Sequence, residues 1–459
     1  MSMNEKMQEK FAMFYGMAMS IGELAQPIEM SDEERVSRVK NTLLAKMDST
    51  DAISLETCIH CGMCAEACHY YMGTHDPEYI PIRKLDLMKR VYRREISPLR
   101  WIHRLYTKDI EKSDLDEYQH LVFDSCTECG RCSMICPMGI HIADMVGMNR
   151  AAFAEAGMVP KELLAMQQAQ CKEGTIFNAD EEVFCFKMNE LKEELGFDIP
   201  VDRDDCEVMV LTSGLDLMLF DDALKGTAKT LQHLGRSWTF FTEGYEGANF
   251  GLLSGHEDTQ AYAAKRVIDV AEKNKIKVLL TPECGHAFPA LRWFGAEMVG
   301  HELPFEIMSV SEYLGREVME GRLKLTQDKN LKKVTIHDPC KVGRVGGSFD
   351  ESRAAVKAMG IDIKETYSNR ETNFCCGGGA GVFLIQDAAD IRQKAYEVKV
   401  KEVKDTGCDH LVVSCGSCRM NFENGKIKSN DQALQVDSLA AMIGDHLPEK
   451  PAAKAAETN

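Results

Sequence analysis

Cys58-Ile-His-Cys61-Gly-Met-Cys64-Ala-Glu-Ala-Cys68 and Cys126-Thr-Glu-Cys129-Gly-Arg-Cys132-Ser-Met-Ile-Cys136-Pro137 are written with one spacing, C-x2-C-x2-C-x3-C. Two-residue spacers let three thiolates from one tight loop face three corners of an inorganic core, and Gly62 and Gly130 let the backbone curl close to it. Four cysteines in this fixed run, twice, point to two 4Fe-4S cubane clusters. The competing reading is a pair of zinc sites, because C-x2-C also holds zinc. Residues 51–150 are therefore expected to form a two-cluster domain in helical surroundings.

In two-cluster ferredoxins the fourth cysteine of each run ligates the other cluster. That rule assigns Cys58, Cys61, Cys64 and Cys136 to one cubane, and Cys126, Cys129, Cys132 and Cys68 to the other. Pro137 follows Cys136 as the motif expects, whereas His69 follows Cys68. The departure weakens the local turn but removes no ligand.

Cys340, the vicinal pair Cys375-Cys376, and Cys415-Gly-Ser-Cys418 lie far downstream. Sulfurs on neighbouring α-carbons about 3.8 Å apart diverge, which suits two different irons better than chelation of one. Five thiolates also exceed the four that a cubane needs. Gly377-Gly378-Gly379 lets the backbone approach a bulky group. A thioredoxin-like dithiol at Cys415 and Cys418, or a structural zinc site, leaves the vicinal pair and Cys340 unexplained.

Working outward, residues 1–50 read as helical. Ser31-Asp-Glu-Glu34 resembles a capping box, followed by Val36, Val39, Leu43 and Leu44 at helical spacing. The basic stretch Lys84 to Arg94 reads as a solvated helix face in preference to a docking surface. Ile142 through Met166 is again helical. Val208–Thr212 and Ile276–Leu280 then read as strands around a helix from Ala261 to Glu272, and Val334–Ile336 and Leu411–Ser414 repeat the plan. The expected fold is α+β, with a helical segment over 1–50, the two-cluster domain over 51–150 and a helical connector over 151–200. Two pseudo-repeated α/β halves follow, 201–325 and 326–447, and a disordered tail over 448–459.

The formal charge of -18 over 459 residues argues against nucleic acid or an anionic membrane surface as direct partner. No secretion signal and no apolar run of the roughly 18 residues of a membrane span is found. A cytoplasmic protein, touching the inner face of the membrane only through a partner, is expected. In that reducing compartment 18 cysteines speak for metal over disulfides.

The sequence His337-Asp-Pro-Cys340, Cys375-Cys376-Gly-Gly-Gly379 and Cys415-Gly-Ser-Cys418 resembles the CCG domain of heterodisulfide reductases. Over residues 50–445 the layout is similar to the D subunit of those enzymes and, more closely, to DsrK of the Dsr membrane complex. The resemblance implies a noncubane 4Fe-4S cluster on Cys340, Cys375, Cys376, Cys415 and Cys418 that cleaves a disulfide or trisulfide. It also implies electrons from quinol through a haem b subunit like DsrM, a small cysteine-bearing carrier like DsrC as substrate, and further complex subunits. The half over 201–325 looks like a degenerate CCG copy. Thr212-Ser-Gly214, Tyr245-Glu-Gly247 and Ala287 stand where cysteines would be, and Cys284 and His286 are left to face the intact centre. His286 and His337 are candidate proton donors, and Lys341, Arg344 and Arg419 candidate stabilisers of thiolate charge. Cys171, Cys185, Cys206 and Cys408 fit no motif and are expected to be buried. The nearest rival is the iron-sulfur subunit of a flavin-dependent glycolate, lactate or glycerol-3-phosphate dehydrogenase.

Overall fold

Short, largely buried runs form most of the parallel strands in this chain, as strands covered on both faces do. The computed structural model describes residues 3–177 and 179–449. Strands β1 (Val208–Val210), β2 (Trp238–Thr239), β3 (Val278–Thr281) and β4 (Glu306–Ser309) make one sheet in the order β2-β1-β3-β4. The second, β6-β5-β7-β8, uses β5 (Lys333–Ile336), β6 (Asp362–Ile363), β7 (His410–Val413) and β8 (Gln435–Ser438). Every pairing in both sheets is parallel.

The two sheets share one core, in which Val208, Val210 and Leu280 pack in a common cluster with Val334, Ile336 and Val412. Helices Asp221–Leu234 and Leu439–Asp445 meet across it. A Cβ on Gly226 would stand 2.0 Å from the Ala440 carbonyl oxygen, so only glycine permits this approach. A second core holds the cysteine-rich N-terminal part. Phe11, Phe14, Val39 and Leu43 from the first helices join Val382, Phe383 and Leu384 from the far C-terminal region in it. The cores thus cross the boundaries drawn from sequence at residues 50 and 150.

The helix Asp32–Lys46 begins where expected, with Ser31 Oγ accepting from the Glu34 amide at 3.2 Å. The reciprocal arm of the capping box is replaced by a pair between the Glu34 carboxylate and Arg38. The helical stretch 142–166 is two helices, Ile142–Glu155 and Lys161–Glu173, separated by Gly157 at φ +62° and Pro160. The reading of 84–94 as a solvated face needs correction at Lys84, while Lys89, Arg90, Arg93 and Arg94 stay partly exposed. Leu87, Met88, Val91 and Tyr92 are buried on the helix Asp86–Glu95, and Lys84 is 2% exposed. The expected tail lies, from residue 450 on, outside the described residues. Among the described residues no helix is long and apolar enough to cross a membrane.

Candidate metal centres

Both cysteine runs place their αL glycines, Gly62 at φ +80° and Gly130 at φ +74°, just ahead of one-turn helices, Met63–Ala67 and Arg131–Ile135. The loop and the turn together gather the sulfurs. Burial pushes the Cys64 thiol up, and Cys58, Cys61 and Cys136 add to the rise, so these four lie in one neighbourhood. Burial likewise raises Cys132, with Cys129, Cys126 and Cys68 contributing. The groups that come together are those of the crossed pairing.

Two buried cations frame the second group, and the sequence signals neither. Lys84 donates to the Ser125 carbonyl and to Ser125 Oγ at 3.2 Å, and its charge lowers the Cys68 and Cys126 thiols against the stronger effect of burial. Arg150, with no exposed surface, donates to the carbonyls of Val122, Leu253, Ala380, Phe123 and Cys126 at 2.8–3.3 Å. Its fork of N–H groups thereby ties several loops together. An arginine within a helical pattern gives no hint of such a role.

The downstream cysteines converge at the C-terminal ends of the second sheet's strands, where ligands bind in open parallel sheets. Cys375 lies within hydrogen-bonding reach of Cys340, Cys376 and also Cys129. Cys376 in turn reaches Cys418, and Cys418 reaches Cys415. The Gly377 and Gly378 amides donate to Cys375 Sγ and Cys376 Sγ at 3.4 and 3.5 Å, and Gly377 sits at φ +93°. Asn421 holds the Cys376 carbonyl at 2.6 Å. Amides aimed at sulfur favour its thiolate form.

Beside the sulfurs lies a narrow cleft, lined by Gly285 and His286 from the loop after β3 and by Cys340, Cys376, Cys415 and Cys418. The loops facing each other across it touch. The Gly416 amide donates to the Glu283 carbonyl, and a Cβ on Gly285 would come within 3.1 Å of Cys415 Sγ. Cys284 is buried, 3.4 Å from His286 Nδ1. Burial lowers His286 to about 4, with Lys341 assisting. Burial thus favours the neutral ring. His337 is also lowered by burial. It lies within 4.8 Å of Cys376 and Cys418 sulfurs, and its Nε2 has no hydrogen-bond partner.

Of the three cations expected near these thiolates, two are committed elsewhere. Arg419 pairs bidentately with Asp222 at 2.7 Å, and Arg344 holds the carbonyls of Cys129, Glu371 and Asn373. Lys341 lines the cleft. Among the unassigned cysteines, Cys206 and Cys408 are buried as expected, Cys185 is half-buried, and Cys171 is exposed. Three buried carboxyl groups at the ends of the first sheet were also missed. Burial pushes Asp216 to about 7, and Glu246 and Glu283 to about 8.

The donor sets fit iron-sulfur clusters. Soft thiolates converge in groups of four, four and five, and among the described residues the buried ring of His69 and Nε2 of His337 lie beside them with no oxygen or nitrogen partner. Comparison with known proteins agrees. The 4Fe-4S dicluster domain family matches residues 57–141, and the family described as Cysteine-rich domain (CCG) matches residues 334–423. The "Hdr-like menaquinol oxidoreductase iron-sulfur subunit 2" of Archaeoglobus fulgidus is 23% identical, covering 86% of this chain and 80% of its own. The D subunit of the dihydromethanophenazine:CoB--CoM heterodisulfide reductase of Methanosarcina acetivorans is 25% identical, covering 87% and 96%. This chain is an iron-sulfur oxidoreductase that resembles heterodisulfide reductase D subunits and Hdr-like menaquinol oxidoreductase subunits. The D-subunit-like protein is also 26% identical to the "EtfAB:quinone oxidoreductase" of Syntrophomonas wolfei, over 86% of this chain and 58% of that one.

Proposed function

We propose that this D-subunit-like protein, attached to the cytoplasmic face of the membrane through a haem b subunit like DsrM, reduces a disulfide or trisulfide on a small carrier protein like DsrC with electrons from quinol. When bound, two cubanes would supply one-electron transfer and a noncubane cluster would supply the two-electron cleavage of an S–S bond. Cys58, Cys61, Cys64 and Cys136 would hold the first cubane, and Cys68, Cys126, Cys129 and Cys132 the second. Cys340, Cys375, Cys376, Cys415 and Cys418 would hold the noncubane centre.

The observation that carries this reading is the sulfur chain itself. Cys61 is exposed, the second group is more deeply buried, and Cys129 stands within reach of Cys375 at the cleft. Electrons that reach the second cubane would therefore have a short step from Cys129 to Cys375 at the cleft wall. There the neutral His286 orients an incoming sulfur by its single N–H or lone pair, and the Lys341 ammonium offsets charge as a thiolate leaves. Leu252 and Leu253 add apolar surface to the lining.

EPR of the thiol-oxidised protein tests the reading. A signal distinct from both cubanes is expected, lost in Cys376→Ser while the cubane signals stay. Retention of every signal in that variant overturns it.

The likeness to the EtfAB:quinone oxidoreductase favours a second reading, in which the same chain relays electrons between a flavoprotein and quinone. Rapid reduction by a flavoprotein, with no turnover of any disulfide in the presence of the membrane partner, would select it.

A further inference from the structure

His69 stands where the ferredoxin motif puts proline, and it is 2% exposed. One of its ring nitrogens lies with Cys129 Sγ and Cys375 Sγ in a group whose atoms are all within 4.8 Å of one another. Cys129 belongs to the second cubane set and Cys375 to the third. The imidazole is therefore wedged at the junction between two metal-binding groups that are distant in sequence. No oxygen or nitrogen partner competes for either ring nitrogen among the described residues, and, after the contact with Cys375 and against burial, the hydrogen bond from His69 helps lower the Cys129 thiol.

The surroundings hold the ring there. Its centroid is 4.2 Å from that of Tyr70, whose hydroxyl donates to the Gly377 carbonyl at 2.8 Å, one residue past the vicinal pair. Arg131 adds a second tie, donating to the Ala67 carbonyl at 2.9 Å and to the Thr372 carbonyl at 2.7 Å. Thr127 Oγ1 lies 3.3 Å from Cys375 Sγ on the same interface. Both loops are thus fixed on either side of the ring, and proline at this position offers neither N–H nor aromatic bulk.

We propose that His69 is a positioning residue at this junction, donating its ring N–H to the Cys129 sulfur and packing its other edge on Cys375, so that it sets the reduction potential of the cubane that feeds the third centre. This rests on the cluster assignment of the proposed function. A hydrogen bond to a ligating sulfur stabilises the more negative, reduced form, so its loss makes reduction harder.

The test is an EPR-monitored redox titration of the full cluster-loaded chain, comparing wild type with His69→Phe, which keeps the ring volume, and His69→Gln, which keeps a donor. In the Phe variant the ratio of reduced to oxidised second cubane at a fixed potential is expected to fall roughly fivefold or more, the worth of one hydrogen bond of about 1 kcal/mol. The Gln variant should recover most of that loss, and the first cubane should not move. An unchanged midpoint in the Phe variant at full iron content overturns the proposal, as does an equal shift in both variants. Should the Phe variant lose its cluster, wild-type protein labelled with ¹⁵N-histidine decides. The reduced second cubane must then show a histidine nitrogen coupling by pulsed EPR, and its absence overturns the proposal. Neither measurement uses a disulfide, so failure here is separable from failure of the proposed reaction.

Discussion

The loops that follow β1, β2 and β3 of the first sheet carry Thr212, Glu246 and Cys284, whereas at the matching places the second sheet presents Cys340, Cys375-Cys376 and Cys415. Strand order, parallel pairing and strand lengths of two to four residues are shared. The scaffold is thus indifferent to the chemistry at its strand ends. One set of loops gathers thiols, and the other buries carboxyl groups, one of which braces the neighbour. Glu283 shows the bracing directly, its carboxyl accepting from Ser438 Oγ at 2.9 Å and from the Ala440 amide at 3.1 Å in the second half.

The largest effect should come from substituting matched positions. Cys376→Ser is expected to reduce disulfide turnover to background in an anaerobic assay, while Glu246→Gln, at the corresponding place in the first sheet, keeps turnover within about twofold, a shift of roughly 0.4 kcal/mol. Equal losses in both would erase the distinction between the sheets. Next, Gly226→Ala pushes a methyl group into the Ala440 carbonyl and should cost about 1–3 kcal/mol. A thermal melt should show Tm several degrees lower, and an unchanged Tm would mean the sheets do not depend on this contact.

A smaller effect is expected from pH. Burial first, and Asp216 nearby, push Glu246 from an ordinary 4.5 to about 8, so the folded chain keeps a proton that the unfolded chain has lost. The stability it contributes is full below about pH 4.5 and declines as pH rises to about 8. Asp216, pushed to about 7, and Glu283, to about 8, add to the same slope. Chemical denaturation at pH 6 and pH 8 should show wild type weaker at the higher pH and Glu246→Gln less sensitive, and an identical slope in the variant would remove Glu246 from the account. Smallest of all, mild alkylation should label exposed Cys171 with no loss of iron. Iron release upon its labelling would tie this thiol to a centre.

The cysteine runs were legible because a tight loop carries its own spacing rule, and so were the strands, because short buried apolar runs have little else to become. The basic residues were not legible. Lys84 and Arg150 sit in helical patterns whose usual polar face is solvated, and only the carbonyls that loops from residues 122–126, 253 and 380 bring to them explain their burial. His69 was visible only as a missing proline, since its neighbour Cys375 lies 306 residues away in sequence and meets it through tertiary packing. The reach of Arg419 and Arg344 was misjudged for the same reason: their carboxylate and carbonyl partners come from distant loops.

Anomalous scattering at the iron edge from anaerobically grown crystals tests the central claim most directly. The account predicts a third iron peak enclosed by Cys340, Cys375, Cys376, Cys415 and Cys418, beside two at the N-terminal runs. Two iron peaks alone, with those five thiols free of metal or holding zinc, would contradict it.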